Sequence, residues 1–245
     1  MTGTLFLIGV GPGDPELMTL KAVRVLREVP VIAYPRTGED STGNDNALAL
    51  SIARAYLNPL AELLPFTIPM QPGREAAQRA YDDAASEVLV HLGAGRDVAW
   101  LCEGDPLFYG TAIYLMARIA GQAPVVVVPG VTSLTAAAAA VARPLGARND
   151  VLKVLPAPLP DEALRAELAS ASSFAVIKVG RHFDRIRRLL EETGCTEGAM
   201  VVEHATTGRQ RITPLADFAH DERPYFSTIL RYRGIETGVG RGRGE

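Results

Sequence analysis

Residues 97–110 read DVAWLCEGDPLFYG, and the stretch divides sharply in two. Residues 97–102 form a nearly continuous apolar run, the pattern of a strand buried on both faces of a parallel sheet, where helices cover each side. At its carboxyl end the chain turns polar through Glu103, Gly104, Asp105 and Pro106, and residues 111–119 then supply a helix. A buried strand, a loop of acid, glycine and proline, and a following helix are the parts of a βαβ unit, so the stretch predicts an α/β fold.

The alternation continues upstream. Residues 4–10 are a compact apolar strand, a Gly/Pro loop follows, and residues 19–28 show helical spacing through Leu20, Val23, Leu26 and Val29. A strand at 29–34, a helix at 47–56, a strand at 62–68 before Pro69 and Pro72, and a helix at 75–93 complete the first set. The run Ala120-Gly121-Gln122-Ala123-Pro124 reads as a boundary, which gives α/β domains at 1–120 and 121–237. The second set has strands at 125–128, 151–155, 174–179, 200–203 and 226–232, with helices at 133–141, 161–170 and 183–193. Consecutive strands after Glu203 imply a mixed sheet there. The tail, 238–245, has nothing to bury and is expected to be disordered. No repeat of domain-building period is visible.

With 245 residues, 47% hydrophobic and 22% charged, the chain has enough apolar mass for two modest cores, and disorder is excluded as its main state. A net charge of −3 argues against nucleic acid as a partner, since phosphate binding needs clustered cations. The start lacks the basic and apolar regions of a signal peptide, and no apolar run is long enough to span a bilayer. Cys102 and Cys195 are too few for a disulfide framework or a zinc knuckle, and they read as reduced core thiols of a cytoplasmic protein. No Cys/His/Asp cluster points to a bound metal; His182 and His204 follow strand ends and read as hydrogen-bonded loop residues.

Three strand-to-helix loops can carry chemistry. Ligands of open α/β sheets bind outside the carboxyl ends of the strands, where these loops lie. The first, GVGPGDPEL at 9–17, resembles a dinucleotide fingerprint but has Asp14 where the third glycine belongs, and a carboxylate there repels a pyrophosphate. Asp14 and Pro15 suit a helix start, which accounts for them and leaves the crowding of glycines unexplained. The second loop is EGDPLFYG at 103–110, whose carboxylates can accept ribose hydroxyls or an ammonium group. The third, PGVTSL at 129–134, places Thr132 or Ser133 as a helix cap in front of an alanine run at 136–140. Side chains so small let a cofactor lie close, and they equally permit tight packing on the sheet.

In this order the loops resemble the tetrapyrrole (corrin/porphyrin) methylase family. GVGPGDPELMTLKA at 9–22, EGDPLFYG at 103–110 and VPGVTSLTAAAA at 128–139 carry the likeness, with FAVIKVG at 174–180 and MVVEHATTGRQRI at 200–212 extending it over nearly the whole chain. CEGDPLFYGTAIYLMARI, AYP at 33–35 and ARPLGARNDVLKVLPAPLP at 142–160 are most similar to members that methylate carbon 20 of precorrin-2 in cobalamin biosynthesis. The resemblance implies two α/β domains with S-adenosylmethionine in the cleft between them, in a homodimer. It places cofactor contacts on Pro12, Glu103, Gly104, Asp105, Phe108, Thr132, Ser133, Val179 and Ala205; relatives often carry methionine where Val179 stands and glycine where Ala205 stands.

The implied reaction is an in-line displacement in which carbon 20 of the macrocycle takes the sulfonium methyl, so positioning supplies most of the catalysis. A proton must afterwards leave carbon 20, and Tyr34, Asp105 and Tyr109 are the candidate bases. The substrate's carboxylates need local cations or backbone N–H groups, for which Gly11, Gly13, Asp14, Lys21, Arg36 and Arg148 are the candidates. Rival readings are a methylase of another ring position or of uroporphyrinogen, and a nucleotide-binding regulator without chemistry.

Overall fold

A computed structural model describes residues 1–36, 47–69, 74–219 and 226–233. The tail expected at 238–245 and Pro72 lie outside the described residues. Two compact units are formed, Met1–Thr132 and Ser133–Glu245.

The first unit is a parallel sheet of β1 (Leu5–Gly9), β2 (Val31–Arg36), β3 (Glu62–Thr67), β4 (Val98–Cys102) and β5 (Val125–Val128), in the order β3-β2-β4-β1-β5. Period-two alternation sorts its side chains. Leu7, Ala33 and Trp100 face α3 (Arg74–Gly93) and α4 (Ala112–Ile119), whereas Ile8, Ile32 and Leu101 face α1 (Leu20–Glu28) and α2 (Leu48–Ala53). All five residues of β4 are buried, as its unbroken apolar run requires. Helix α1 starts where the Thr19 hydroxyl accepts the Ala22 N–H at 3.2 Å.

In the second unit β6 (Leu152–Pro156), β7 (Ser173–Ile177), β8 (Met200–Glu203), β9 (Arg211–Pro214) and β10 (Ser227–Tyr232) make a sheet in the order β6-β7-β10-β8-β9. Only β6 and β7 pair in parallel; β10 is antiparallel to both β7 and β8, so the mixed sheet read from sequence is present. One apolar layer packs this sheet against α6 (Asp161–Ala169) and α7 (Phe183–Glu192), with the Phe183 and Phe218 rings 4.2 Å apart. Helix α5 (Ser133–Ala140) lies against β10, so its alanines serve close helix-to-sheet packing.

Two expectations change. The strand 125–128, read as opening the second domain, pairs with β1 and closes the first sheet. The Ala120–Pro124 run is a turn and not a linker: the Gln122 N–H donates to Ile119 O at 3.0 Å, and the Leu5 N–H then donates to Pro124 O at 2.9 Å, which folds the chain back onto β1. The division between units therefore falls after Thr132. Strand β9 was not read from sequence because it is a mostly exposed edge strand without apolar alternation.

Trp100 is 1% exposed and stacks on Phe66 at 5.4 Å between ring centroids. Trp100→Ala leaves a cavity at the centre of the first sheet, and a loss of about 3–5 kcal/mol is expected in urea unfolding.

Candidate functional site

The carboxyl ends of β1, β4 and β5 lie side by side, because β1 sits between the other two. Their loops meet backbone to backbone. The Val10 N–H donates to Cys102 O at 2.9 Å, the Gly104 N–H to Gly11 O at 2.8 Å, and the Gly11 N–H to Gly104 O at 3.3 Å. A Cβ on Gly9 would stand 2.6 Å from Gly130 N and 2.7 Å from Gly104 O, and one on Gly130 would stand 2.1 Å from Gly104 O. A Cβ is therefore excluded at Gly9 and Gly130, which accounts for two glycines that a helix start alone does not need. Gly11 also has φ +81°, a left-handed conformation. Pro12 and Gly13 follow, half-buried, and the Asp14 carboxylate accepts the Glu16 N–H at 2.9 Å to start the turn Pro15–Leu17.

The two carboxylates of the second loop differ. Asp105 is engaged through both oxygens, Oδ1 accepting the Leu107 N–H at 2.9 Å and Oδ2 the Gly130 N–H at 3.0 Å, so it ties the second loop to the third. Glu103 has no hydrogen bond or ion pair among the described residues. Desolvation pushes its carboxyl up to about 7, although solvent still reaches the side chain. Burial pushes the Cys102 thiol far up, with Asp105 and Glu103 adding to the effect. Phe108 meets Tyr109 edge-on at 5.1 Å; Tyr109 is 43% exposed and left-handed at φ +55°.

The remaining candidates of the first unit are placed differently. Tyr34 is 4% exposed and packs in the apolar layer beneath α1 and α2, which makes it a core residue and not an open base. Arg36 ends β2 at the same edge of the sheet, its Nε donating to Thr67 Oγ1 at 3.1 Å. Lys21 is exposed on the first turn of α1. Thr132 is half-buried just before α5.

In the second unit Ser133 opens α5, exposed, and Arg148 is exposed and left-handed at φ +45°. Because β7 and β8 run in the same direction, Val179 and Ala205 follow strand ends at one edge of the sheet. The start of β10 binds both loops: the Gly180 N–H donates to Ser227 Oγ at 3.3 Å and the His204 N–H to Phe226 O at 2.8 Å. Val179 is fully buried in the core and its carbonyl accepts the His182 N–H at 2.7 Å, so its side chain faces packing partners. Ala205 is half-buried between left-handed His204 (φ +46°) and Thr206 (φ +68°), and Lys178 is left-handed too, at φ +58°. Neither these conformations nor the role of Ser227 had a signal in sequence, since none of the residues is glycine. Among the described residues no group of His, Cys, Asp and Glu could hold a metal ion, and no helix is long and apolar enough to cross a membrane.

These features define an α/β protein whose glycine- and acid-bearing loops gather at the carboxyl ends of parallel strands in its first unit. The chain belongs to the tetrapyrrole (corrin/porphyrin) methylases, whose family pattern matches residues 4–219. It is 42% identical over 259 residues to the cobalamin biosynthesis protein CobIJ of Mycobacterium tuberculosis, covering 99% of this chain and 50% of that one; the chain thus spans about half the length of that relative. A precorrin-2 C(20)-methyltransferase from a Sinorhizobium species is 40% identical over 93% of this chain and 94% of its own. The cobalt-precorrin-2 C(20)-methyltransferase of Salmonella typhimurium is 32% identical over 94% and 96%. Among solved structures, uroporphyrin-III C-methyltransferase of Thermus thermophilus complexed with S-adenosylhomocysteine superposes with a TM-score of 0.65 at 27% identity, covering 94% of this chain and 97% of that one.

Glu103 also sets a pH dependence of stability. Its folded-state value lies above the ordinary 4.5, so between the two the folded chain binds more protons than the unfolded one, and stability falls as pH rises through that window. Glu103→Gln is expected to raise the melting temperature more at about pH 8 than at about pH 5. A gap of equal size at both would show that the carboxyl titrates normally.

Proposed function

We propose that the chain is an S-adenosylmethionine-dependent methyltransferase that adds a methyl group to carbon 20 of precorrin-2, in its metal-free or cobalt form, on the route to cobalamin. The observation that carries it is the glycine junction of the first unit, where Gly130 meets Gly104 with no room for a Cβ and the Asp105 carboxylate ties the EGDPLFYG and VPGVTS loops together. The 40% and 32% identities to C(20)-methyltransferases over nearly the whole chain support the substrate and ring position.

The residues present fit the cofactor. The bare backbone of Gly9 and Gly130 lets the three loops close on one another at the strand ends, which fixes where the second loop presents its carboxylates. Asp105 holds the second and third loops in register, and the Glu103 carboxylate is open to accept from hydroxyl or ammonium groups. Asp14, already at the start of its turn, disfavours a pyrophosphate there. Pro12, Phe108 and Thr132 in the first unit, and Ser133, Ala205 and the backbone of Val179 in the second, complete the proposed cofactor residues. S-adenosylmethionine supplies a methyl already activated by positive sulfur, so the chain's task is to align the acceptor carbon with it and exclude water. Gly11, Gly13, Asp14, Lys21, Arg36 and Arg148 are the proposed contacts for the macrocycle. We further propose a homodimer acting in the cytoplasm, supported by the exposed apolar side chains of Leu107, Ile113 and Tyr114 and by two free, buried cysteines.

Anaerobic incubation with S-adenosylmethionine and either form of precorrin-2, read by mass spectrometry, should show one added methyl on one or both. Methylation of uroporphyrinogen instead would move the chain to another branch of the family. Tight S-adenosylhomocysteine binding with no turnover on any tetrapyrrole would favour a regulator. In a separate variant, Asp105→Ala frees the Gly130 N–H and should weaken S-adenosylhomocysteine binding in calorimetry; unchanged affinity would place the cofactor elsewhere.

A further inference from the structure

We propose that Glu103 is the proton acceptor of the methyl transfer, the catalytic residue that takes the carbon 20 proton, an assignment that rests on the C(20) reaction proposed above. The two carboxylates of the second loop lie two positions apart and have opposite surroundings. Asp105 already accepts a backbone N–H on each of its two oxygens, so both are engaged in holding the loops. Tyr34 is enclosed in the core. Glu103 is the carboxylate at this junction with neither a hydrogen bond nor an ion pair among the described residues.

Its backbone is nonetheless fixed on both sides. The carbonyl of Cys102 accepts the Val10 N–H, and Gly104 is bridged to Gly11 through both backbone groups. A fixed Cα with an unengaged carboxylate at the carboxyl ends of parallel strands suits a base that must reach a ligand atom. Its ionisable neighbours are Cys102 and Asp105, on its own segment, while residues 9–11 and 130 meet this segment through backbone alone. Desolvation brings the carboxyl close to neutrality, where a general base works best.

The step balances without an added reagent. A π electron pair of the macrocycle forms the bond from carbon 20 to the methyl carbon, and the carbon–sulfur bond breaks with its pair remaining on sulfur. The carbon 20–hydrogen bond then breaks, its electron pair returns to the macrocycle, and the proton passes to a Glu103 carboxylate oxygen.

The test compares the full chain with Glu103→Gln and Glu103→Asp. S-adenosylhomocysteine affinity is measured by calorimetry, turnover on precorrin-2 across pH, and the isotope effect of deuterium at carbon 20. Glu103→Gln should weaken cofactor affinity and raise the KM for S-adenosylmethionine only a few-fold, the loss expected of one contact, while kcat falls about 100-fold or more. The wild-type kcat should rise with pH through a limb near neutrality that the Gln variant lacks, Asp should restore part of the rate, and the slowed variant should show a deuterium effect. Unchanged kcat with the same pH limb overturns the assignment. So does loss of S-adenosylhomocysteine affinity at normal kcat, which would make Glu103 a cofactor contact only. A wild-type chain that binds S-adenosylhomocysteine but methylates no tetrapyrrole overturns the C(20) reaction itself, and this role with it.

Discussion

The carbonyl oxygen of Gly104 is the point on which the first unit's site depends. It faces Gly11 as an acceptor and leaves no room for a Cβ on Gly9 or Gly130. Three strand ends can approach this closely only if each offers bare backbone where they cross. That requirement reaches back into the sheet: β1 must lie between β4 and β5, and the turn after α4 must return the chain so that β5 pairs with β1. A methyl group at Gly130 would have to displace a peptide and not the tip of a flexible side chain, and the Asp105 bond to the Gly130 N–H would break with it.

Around this junction charge is arranged sparingly. Phosphate sites at the ends of parallel strands depend on N–H groups and cations, whereas here a carboxylate sits at the first turn and two more sit on the second loop. One of those two accepts a backbone N–H on each oxygen and acts as a brace. The other is held in surroundings that make its ionisation costly near neutral pH. The difference between them comes from hydrogen bonding and desolvation and not from residue type, since both are carboxylic acids in one loop.

The second unit solves a related problem with strain. Lys178, His204 and Thr206 are left-handed without being glycine, at roughly 1–2 kcal/mol each, and they flank the two loops that follow β7 and β8. Antiparallel β10, inserted between those strands, holds both loops through Ser227 Oγ and Phe226 O. Backbone conformations of this kind persist where surrounding bonds over-determine them. They are concentrated beside Val179 and Ala205, at one edge of the sheet.

The amino-acid sequence by itself determined the element types, because burial on both faces of a parallel strand demands an unbroken apolar run and an amphipathic helix demands its own spacing; β4 and α1 were legible for this reason. It also singled out the loop after β4, since an acid, a glycine and a proline at the end of a buried strand are poorly explained by a turn alone. Tertiary structure decided what depends on neighbours distant in the chain. Val125–Val128 joined the first sheet because its backbone partners are in β1, which no local pattern announces. Tyr34 went to the core because its place in the strand points it beneath α1 and α2. Glu103 and Asp105, both acids of one loop, differ in their surroundings in part because the Gly130 N–H reaches Asp105 across 25 residues of chain.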